Sequence, residues 1–179
     1  MSSGSSSNWP WGWTETAVLA LGSNLGDPVQ NVRQAMEVLA GWSPDPVWKS
    51  SLWISTPLDC PEGSPDFVNA VVVLHTAEGD QAETWLSRAQ EMEILVGRRP
   101  KVVLNEPRPL DVDLIFFRSE ISKDPRLILP HPRATQRRFV LAPLAEGFAE
   151  AVLPGWDRSV QSLLEDLPPD PGLRRLSHR

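Results

Sequence analysis

Asp111 and Asp113 are the residues whose type and spacing most directly suggest chemistry. They lie in the stretch Pro107-Arg108-Pro109-Leu110-Asp111-Val112-Asp113-Leu114-Ile115-Phe116-Phe117. Read as a β-strand, this stretch alternates. Leu110, Val112, Leu114 and Phe116 point to one face, and the two aspartates point to the other. Two residues of strand rise place their α-carbons roughly 6.5–7 Å apart. Arg108, three residues ahead of the first aspartate, reaches toward the same surface. Hard divalent cations take oxygen ligands, and magnesium in phosphate sites uses one or two carboxylates together with substrate phosphates. A sheet with one face in water is also polar at every second residue, so the strand alone allows a solvated face as readily as a metal site.

Charge distribution adds to this. The chain of 179 residues has a formal net charge of −6. Residues 98–138 nevertheless carry 10 basic and 5 acidic side chains, whereas residues 1–97 carry 3 basic and 12 acidic ones. The arginines are gathered in the segment that holds the paired aspartates, the footprint of an anionic ligand that brings metal with it. The overall acidity argues against extended nucleic-acid binding. His131, fixed between Pro130 and Pro132 and close to several arginines, suits phosphate contact better than a capping role. His75 and His178 have no such company and read as structural or solvent-facing.

The elements that must position these groups follow from the patterning. The apolar run Thr16 to Leu21 predicts a buried strand. It turns at Gly22-Ser23-Asn24-Leu25-Gly26-Asp27 into a helix with Asp27 as N-cap and Pro28 at its first position. Gly22-Ser23-Asn24 lacks the lysine of a P-loop, so a plain strand-to-helix turn is the better reading. Val29, Val32, Met36, Leu39 and Ala40 form the helix stripe. Val47 to Thr56 predicts a second strand, Asp66 to Thr76 a third. Asn69 interrupts the apolar run of that third strand, and by itself suggests a backbone contact with a neighbouring loop. A second helix carries Ala82, Trp85, Leu86, Ala89, Met92 and Val96 and ends at Gly97, with Glu93 at the edge of its stripe. With the aspartate strand, the order is β-α-β-β-α-β: an α+β, ferredoxin-like sandwich whose two helices cover one sheet face and leave the other open. Beyond it lie a short strand at Leu127 to Leu129, an apolar segment Val140 to Leu144 and a short helix around Val160, Leu163 and Leu164.

Composition sets the outer limits. The length suits one domain, over residues 16–167, able to bury a core without staples. Residues 1–15 read as a flexible Ser/Gly/Trp-rich tail with Trp9, Trp11 and Trp13 clustered, and residues 168–179 as a loose C-terminal tail. Proline is frequent, 18 of 179 residues, which implies rigid loops between short elements. The single cysteine, Cys60, excludes an internal disulfide and suits a reducing cytoplasm. No apolar run approaches the ~18 residues of a membrane span, and the N-terminus lacks the pattern of a secretory signal. The expectation is a cytoplasmic monomer that binds neither membrane nor nucleic acid.

Four blocks in order make the chain resemble the 6-hydroxymethyl-7,8-dihydropterin pyrophosphokinases of folate biosynthesis, over roughly Val18 to Glu146. They are Ala20-Leu21-Gly22-Ser23-Asn24-Leu25-Gly26; Thr56-Pro57 with Asp66-Phe67-Val68-Asn69-Ala70; Arg108-Pro109-Leu110-Asp111-Val112-Asp113; and Pro130-His131-Pro132 with Arg137 and Phe139. The resemblance implies transfer of pyrophosphate from ATP to the pterin hydroxymethyl group, with release of AMP. It assigns two magnesium ions to Asp111 and Asp113, and catalytic roles to these aspartates with Arg98 and Arg108. Gln90, Glu93, Arg98, Arg108, Leu114, His131 and Arg137 fall on the ATP side. Thr56, Pro57, Phe67, Asn69 and Phe139 fall on the pterin side, with Phe67 and Phe139 as an aromatic sandwich and Asn69 reading the polar edge of the ring. The chain departs from the family at Leu104-Asn105-Glu106-Pro107 and at Pro100, in the loop that closes over ATP, and at Asp59 in the pterin-side loop. A second reading follows from these departures: a member that binds pterin with weak or no transfer. A third, a ferredoxin-like RNA-binding module, is disfavoured by the absence of tyrosine and of an aromatic run on the strands.

Overall fold

A computed structural model describes residues 9–57, 60–97 and 106–176. Two long strands form its centre. β1 (Thr16–Ser23) and β4 (Phe67–His75) pair antiparallel, Thr16 opposite His75 through Ser23 opposite Val68. Both are buried over nearly their whole length, so they read as continuous apolar runs. β5 (Asp111–Phe117) pairs with the free edge of β1. The second predicted strand is broken into β2 (Trp48–Lys49) and β3 (Trp53–Ser55), both antiparallel to β4. Ser50 interrupts it: its hydroxyl accepts from the Val71 N–H at 2.9 Å, and its own N–H donates to the Val71 carbonyl. The spatial order β5-β1-β4-β3 is that of a ferredoxin-like sheet.

The helices α1 (Pro28–Gly41) and α2 (Ala82–Leu95) lie on one face. α1 begins as its sequence predicts, with Asp27 Oδ1 accepting the Gln30 N–H at 3.2 Å and Pro28 at the first position. Val32, Ala35, Met36 and Leu39 of α1, with Ala82, Trp85, Ala89 and Met92 of α2, pack on Ala17, Leu19, Leu21, Ala70, Val72 and Leu74.

The opposite face is not left open along its length, contrary to the sequence reading. The apolar segment after His131 becomes α3 (Arg138–Phe148), joined by α4 (Val160–Asp166). Val140, Leu141, Leu144 and Phe148 cover Val18, Ala20, Val71 and Val73 in a second core. Gly147 lets α3 approach closely: a Cβ there would stand 2.5 Å from Trp48 Cε2. Trp9, edge-on to Phe148, and Trp13, tilted against it, complete this core, and Trp11 stacks on His75 at 4.5 Å. His75 is accordingly not solvent-facing, since its ring nitrogens lie 2.5 Å from Asp45 Oδ2 and 3.5 Å from Glu15 Oε1.

Two further departures bear on the site. Val18 pairs with Phe116 but Leu19 with Leu114, so Ile115 is an extra residue in β5. This bulge moves Phe116 into the second core, whereas the alternation reading grouped it with Leu110, Val112 and Leu114, which face α1 and α2. The chain also does not run loose after Leu167. Beyond the small β6 (Ser122–Asp124) and β7 (Leu127–Leu129) hairpin and α4, β8 (Arg174–Arg175) adds to the sheet edge, Arg174 opposite Ile54 and Arg175 opposite Trp53.

Candidate functional site

The uncovered end of the second face carries the predicted residues, and sheet register explains their meeting. Gly22 of β1 stands opposite Asp111 of β5 on one side and Asn69 of β4 on the other. Directly opposed residues project to the same face. Asp111 and Asn69 therefore flank a position without a side chain. A Cβ on Gly22 would reach 3.3 Å from Asn69 Oδ1 and 3.6 Å from Phe67 Cδ1, so glycine keeps the floor clear. Asp113, two residues along β5 and opposite Ala20, shares that face. Gly22 reads in the sequence as a turn residue; the structure makes it the last-but-one residue of β1 and the floor of the site.

A cavity of about 650 Å³ opens here. Ala20, Leu21, Gly22, Ser55, Thr56, Phe67, Asn69, Arg108, Asp111, Asp113, Arg137 and Phe139 line it. One end is aromatic and amidic. Asn69, buried, donates Nδ2–H to Ser55 Oγ at 2.8 Å rather than to a loop backbone. That bond orients the amide, and Ser55 was not among the residues singled out from sequence. The other end is charged. Arg108 Nη1 lies 3.9 Å from Asp111 Oδ2, and Arg137 Nη1 lies 3.5 Å from Asp113 Oδ2. The same two guanidinium groups sit 5.5 Å from the ring centroids of Phe67 and Phe139 respectively. Each arginine thus joins the charged end to one ring of the aromatic end.

Arg108 is held for this role. Its N–H donates to Asn24 Oδ1 at 2.9 Å, the Asn24 N–H donates to its carbonyl at 3.1 Å, and Asn31 Nδ2–H donates to the Pro109 carbonyl at 3.1 Å. Asn24 and Asn31 thereby fasten the lead into β5 onto the β1–α1 turn. Arg108 Nε is buried without a hydrogen-bond partner, an expensive arrangement for a cation and one that an anionic ligand would relieve. Arg108 also lines a second cavity, of about 530 Å³, with Leu25, Asn31, Val96 and Glu106.

The remaining predicted residues distribute unevenly. Glu93 Oε2 accepts the Val112 N–H at 2.8 Å, so it clasps the peptide between the two aspartates on the open edge of β5. The Leu114 side chain is buried on the helix side of the sheet and does not reach the cavity. Gln90 is exposed on α2, and Pro57 follows Thr56 beside the cavity without lining it. Arg98, Pro100, Leu104, Asn105 and Asp59 lie outside the described residues.

His131 is placed by the β5 bulge: its N–H donates to the carbonyl of the extra residue Ile115 at 2.8 Å. Its Nδ1 accepts the Arg133 N–H at 3.2 Å, which assigns the ring proton to Nε2 in the neutral form. Burial, then the charges of Arg137 and Arg133, hold its pKa below the ordinary 6.5, with Asp111 pulling weakly the other way. Cavity residues that sequence reasoning did not assign are Arg133, Gln136, Arg138, Cys60 and Leu167 to Asp170. The arginine cluster was a signal for the first and third; for the last four residues there was none.

The donor set fits magnesium. Asp111 and Asp113 are half-exposed carboxylates on one strand face, 32% and 35% accessible. Two such oxygen donors match the one or two carboxylates that magnesium takes in phosphate sites; among the described residues no group of three or more His, Cys, Asp or Glu side chains could hold a metal ion.

Fold and site together define a ferredoxin-like domain with a cavity that is aromatic at one end and charged at the other. The sequence profile of the 7,8-dihydro-6-hydroxymethylpterin-pyrophosphokinase (HPPK) family matches residues 18–148. The 2-amino-4-hydroxy-6-hydroxymethyldihydropteridine pyrophosphokinase of Haemophilus influenzae is 34% identical over 142 residues, 78% of this chain and 85% of that protein. The protein of the same name from Pseudomonas aeruginosa is 35% identical over 159 residues, 88% of this chain and 94% of its own. A crystal structure of Plasmodium falciparum HPPK-DHPS with pteroate superposes with a TM-score of 0.63 at 13% identity, covering 84% of this chain and 42% of that larger one. The chain belongs to the 7,8-dihydro-6-hydroxymethylpterin-pyrophosphokinase family.

Proposed function

We infer that the protein transfers the terminal pyrophosphoryl group of ATP to the hydroxymethyl oxygen of 6-hydroxymethyl-7,8-dihydropterin, releasing AMP, as a step of folate biosynthesis. The observation that carries this reading is the row Asp111–Gly22–Asn69, which sets a carboxylate and an amide on either side of a strand position without a side chain. A flat heterocycle between Phe67 and Phe139, its polar edge toward Asn69, would turn its substituent toward the aspartates. In the reaction, the hydroxymethyl oxygen bonds to the β-phosphorus and the bond from that phosphorus to the α,β-bridging oxygen breaks. AMP departs, and the hydroxyl proton passes to water.

Asp111 and Asp113 would hold two magnesium ions, which when bound neutralise charge on the triphosphate. Arg108 and Arg137 would exchange their present carboxylate neighbours for phosphate oxygens, and the buried Arg108 Nε would gain an acceptor. His131, kept neutral by its surroundings, would donate from Nε2 to an oxygen of the nucleotide. Glu93 and Asn24 keep β5 and its arginine in place. No group needs to act as a base, because catalysis by positioning and charge accounts for such transfers. The reading extends to a cytoplasmic monomer that acts on ATP; no helix among the described residues is long and apolar enough to cross a membrane. Incubation with the pterin, ATP and magnesium should produce AMP, and chelation should stop it. Pterin binding without any AMP would replace this reading by one of binding alone.

A further inference from the structure

The family match ends at residue 148, yet part of the cavity wall comes from much later in the chain. Leu167, Pro168, Pro169 and Asp170 line the cavity alongside Thr56 and Phe139. This segment is anchored at both ends. At the first, Arg138, the neighbour of Phe139 in the opening turn of α3, donates Nε–H to the Pro168 carbonyl at 2.5 Å and Nη2–H to the Leu167 carbonyl at 2.9 Å. At the second, the chain turns through Asp170, which accepts the Gly172 N–H on Oδ1 at 3.0 Å and the Leu173 N–H on its carbonyl at 3.1 Å. Gly172 then presses against Thr56 so closely that a Cβ would lie 2.7 Å from Thr56 Cγ2. Beyond it, β8 pairs with β3, and the Leu176 N–H donates to the Leu52 carbonyl at 2.8 Å.

The chain therefore runs as a strap from the base of Phe139 to Thr56, across the ring end of the cavity. Two prolines stiffen it, since each removes backbone freedom and a donor. An ordered surface segment with fixed ends on both walls of a ligand cavity restrains the separation of those walls. We propose that residues 167–172 are a substrate-positioning strap: they form the outer wall of the pterin half and hold Phe139 at stacking distance from the ring. The proposal rests on the pterin reading of the cavity.

The test uses steady-state kinetics of the full-length chain carrying Gly172→Ala or Arg138→Gln. Wild-type protein is assayed first, and failure to bind pterin or release AMP at that stage rejects the pterin reading itself. With wild type active, Arg138→Gln should raise the pterin KM about tenfold, the scale of one lost charge-assisted hydrogen bond, and Gly172→Ala should raise it in the same direction by driving the strap off Thr56. kcat and the ATP KM should stay within about twofold by the same estimate, because the charged end is untouched. Unchanged pterin KM in a folded variant overturns the strap, and so does a parallel rise in the ATP KM, which would mark a general loosening of the fold. If either variant fails to fold by circular dichroism, the other decides the matter.

Discussion

The two ends of the cavity are built on different principles. At the ring end the polar group is already oriented: Asn69 is buried and donates to Ser55, and Gly22 keeps the floor clear. At the charged end two arginines face carboxylates, Arg108–Asp111 at 3.9 Å and Arg137–Asp113 at 3.5 Å, and Arg108 Nε is buried without a partner. A preformed pocket recognises a rigid heterocycle at little ordering cost. A buried guanidinium N–H without an acceptor, by contrast, gains from the arrival of an anion. On the proposed reading, recognition belongs to the ring end and transfer to the charged end.

The largest expected effect comes from the charged end. Asp113→Ala should lower kcat by at least about 10²-fold, the scale for removing one preorganised electrostatic group, while near-ultraviolet circular dichroism stays unchanged. Full activity in that variant would discard the two-metal assignment. Phe67→Ala should act on the opposite term: loss of one stacking face is worth about 1–3 kcal/mol, so pterin KM rises by about tenfold or more with kcat retained at saturation. An equal loss of kcat would dissolve the division between the ends. Ser55→Ala should be milder. It leaves the Asn69 amide without its orienting partner, for a loss of about 1 kcal/mol in pterin binding, measurable by titration with magnesium and a non-hydrolysable ATP analogue present.

The smallest effect is on stability. The His131 pKa is depressed in the folded protein, so as pH falls below 6.5 the unfolded chain takes up this proton first. Its contribution is complete above 6.5 and is lost as pH falls toward the lower folded value. The melting temperature of wild type should therefore drop further between pH 7 and pH 5 than that of His131→Asn, which can still accept the Arg133 N–H. Equal drops would show that the burial and arginine effects on His131 are negligible.

Much of this was legible in the primary structure because it depends on local rules. The apolar runs of β1 and β4, the stripes of α1 and α2, the Asp27 cap and the alternation of Asp111 and Asp113 all follow from periodicity and capping. What was not legible depends on tertiary approach. The bulge at Ile115, which sends Phe116 to the other face and supplies the carbonyl that holds His131, has no local signature in a run of four apolar residues. Gly22 read as a turn because its role lies in what stands on the strands either side of it, far away in sequence. The covering of the second face by α3, and the return of residues 167–176 to the sheet edge, are long-range packing choices that proline-rich composition conceals.

The central claim is pyrophosphoryl transfer at the carboxylate end, and isotope position tests it most directly. In parallel single turnovers with ATP labelled at the β- or the γ-phosphorus, both labels should appear on the pterin in equal amounts, with AMP formed mole for mole. Label on the pterin from the γ-position alone, with ADP as the other product, would contradict the account.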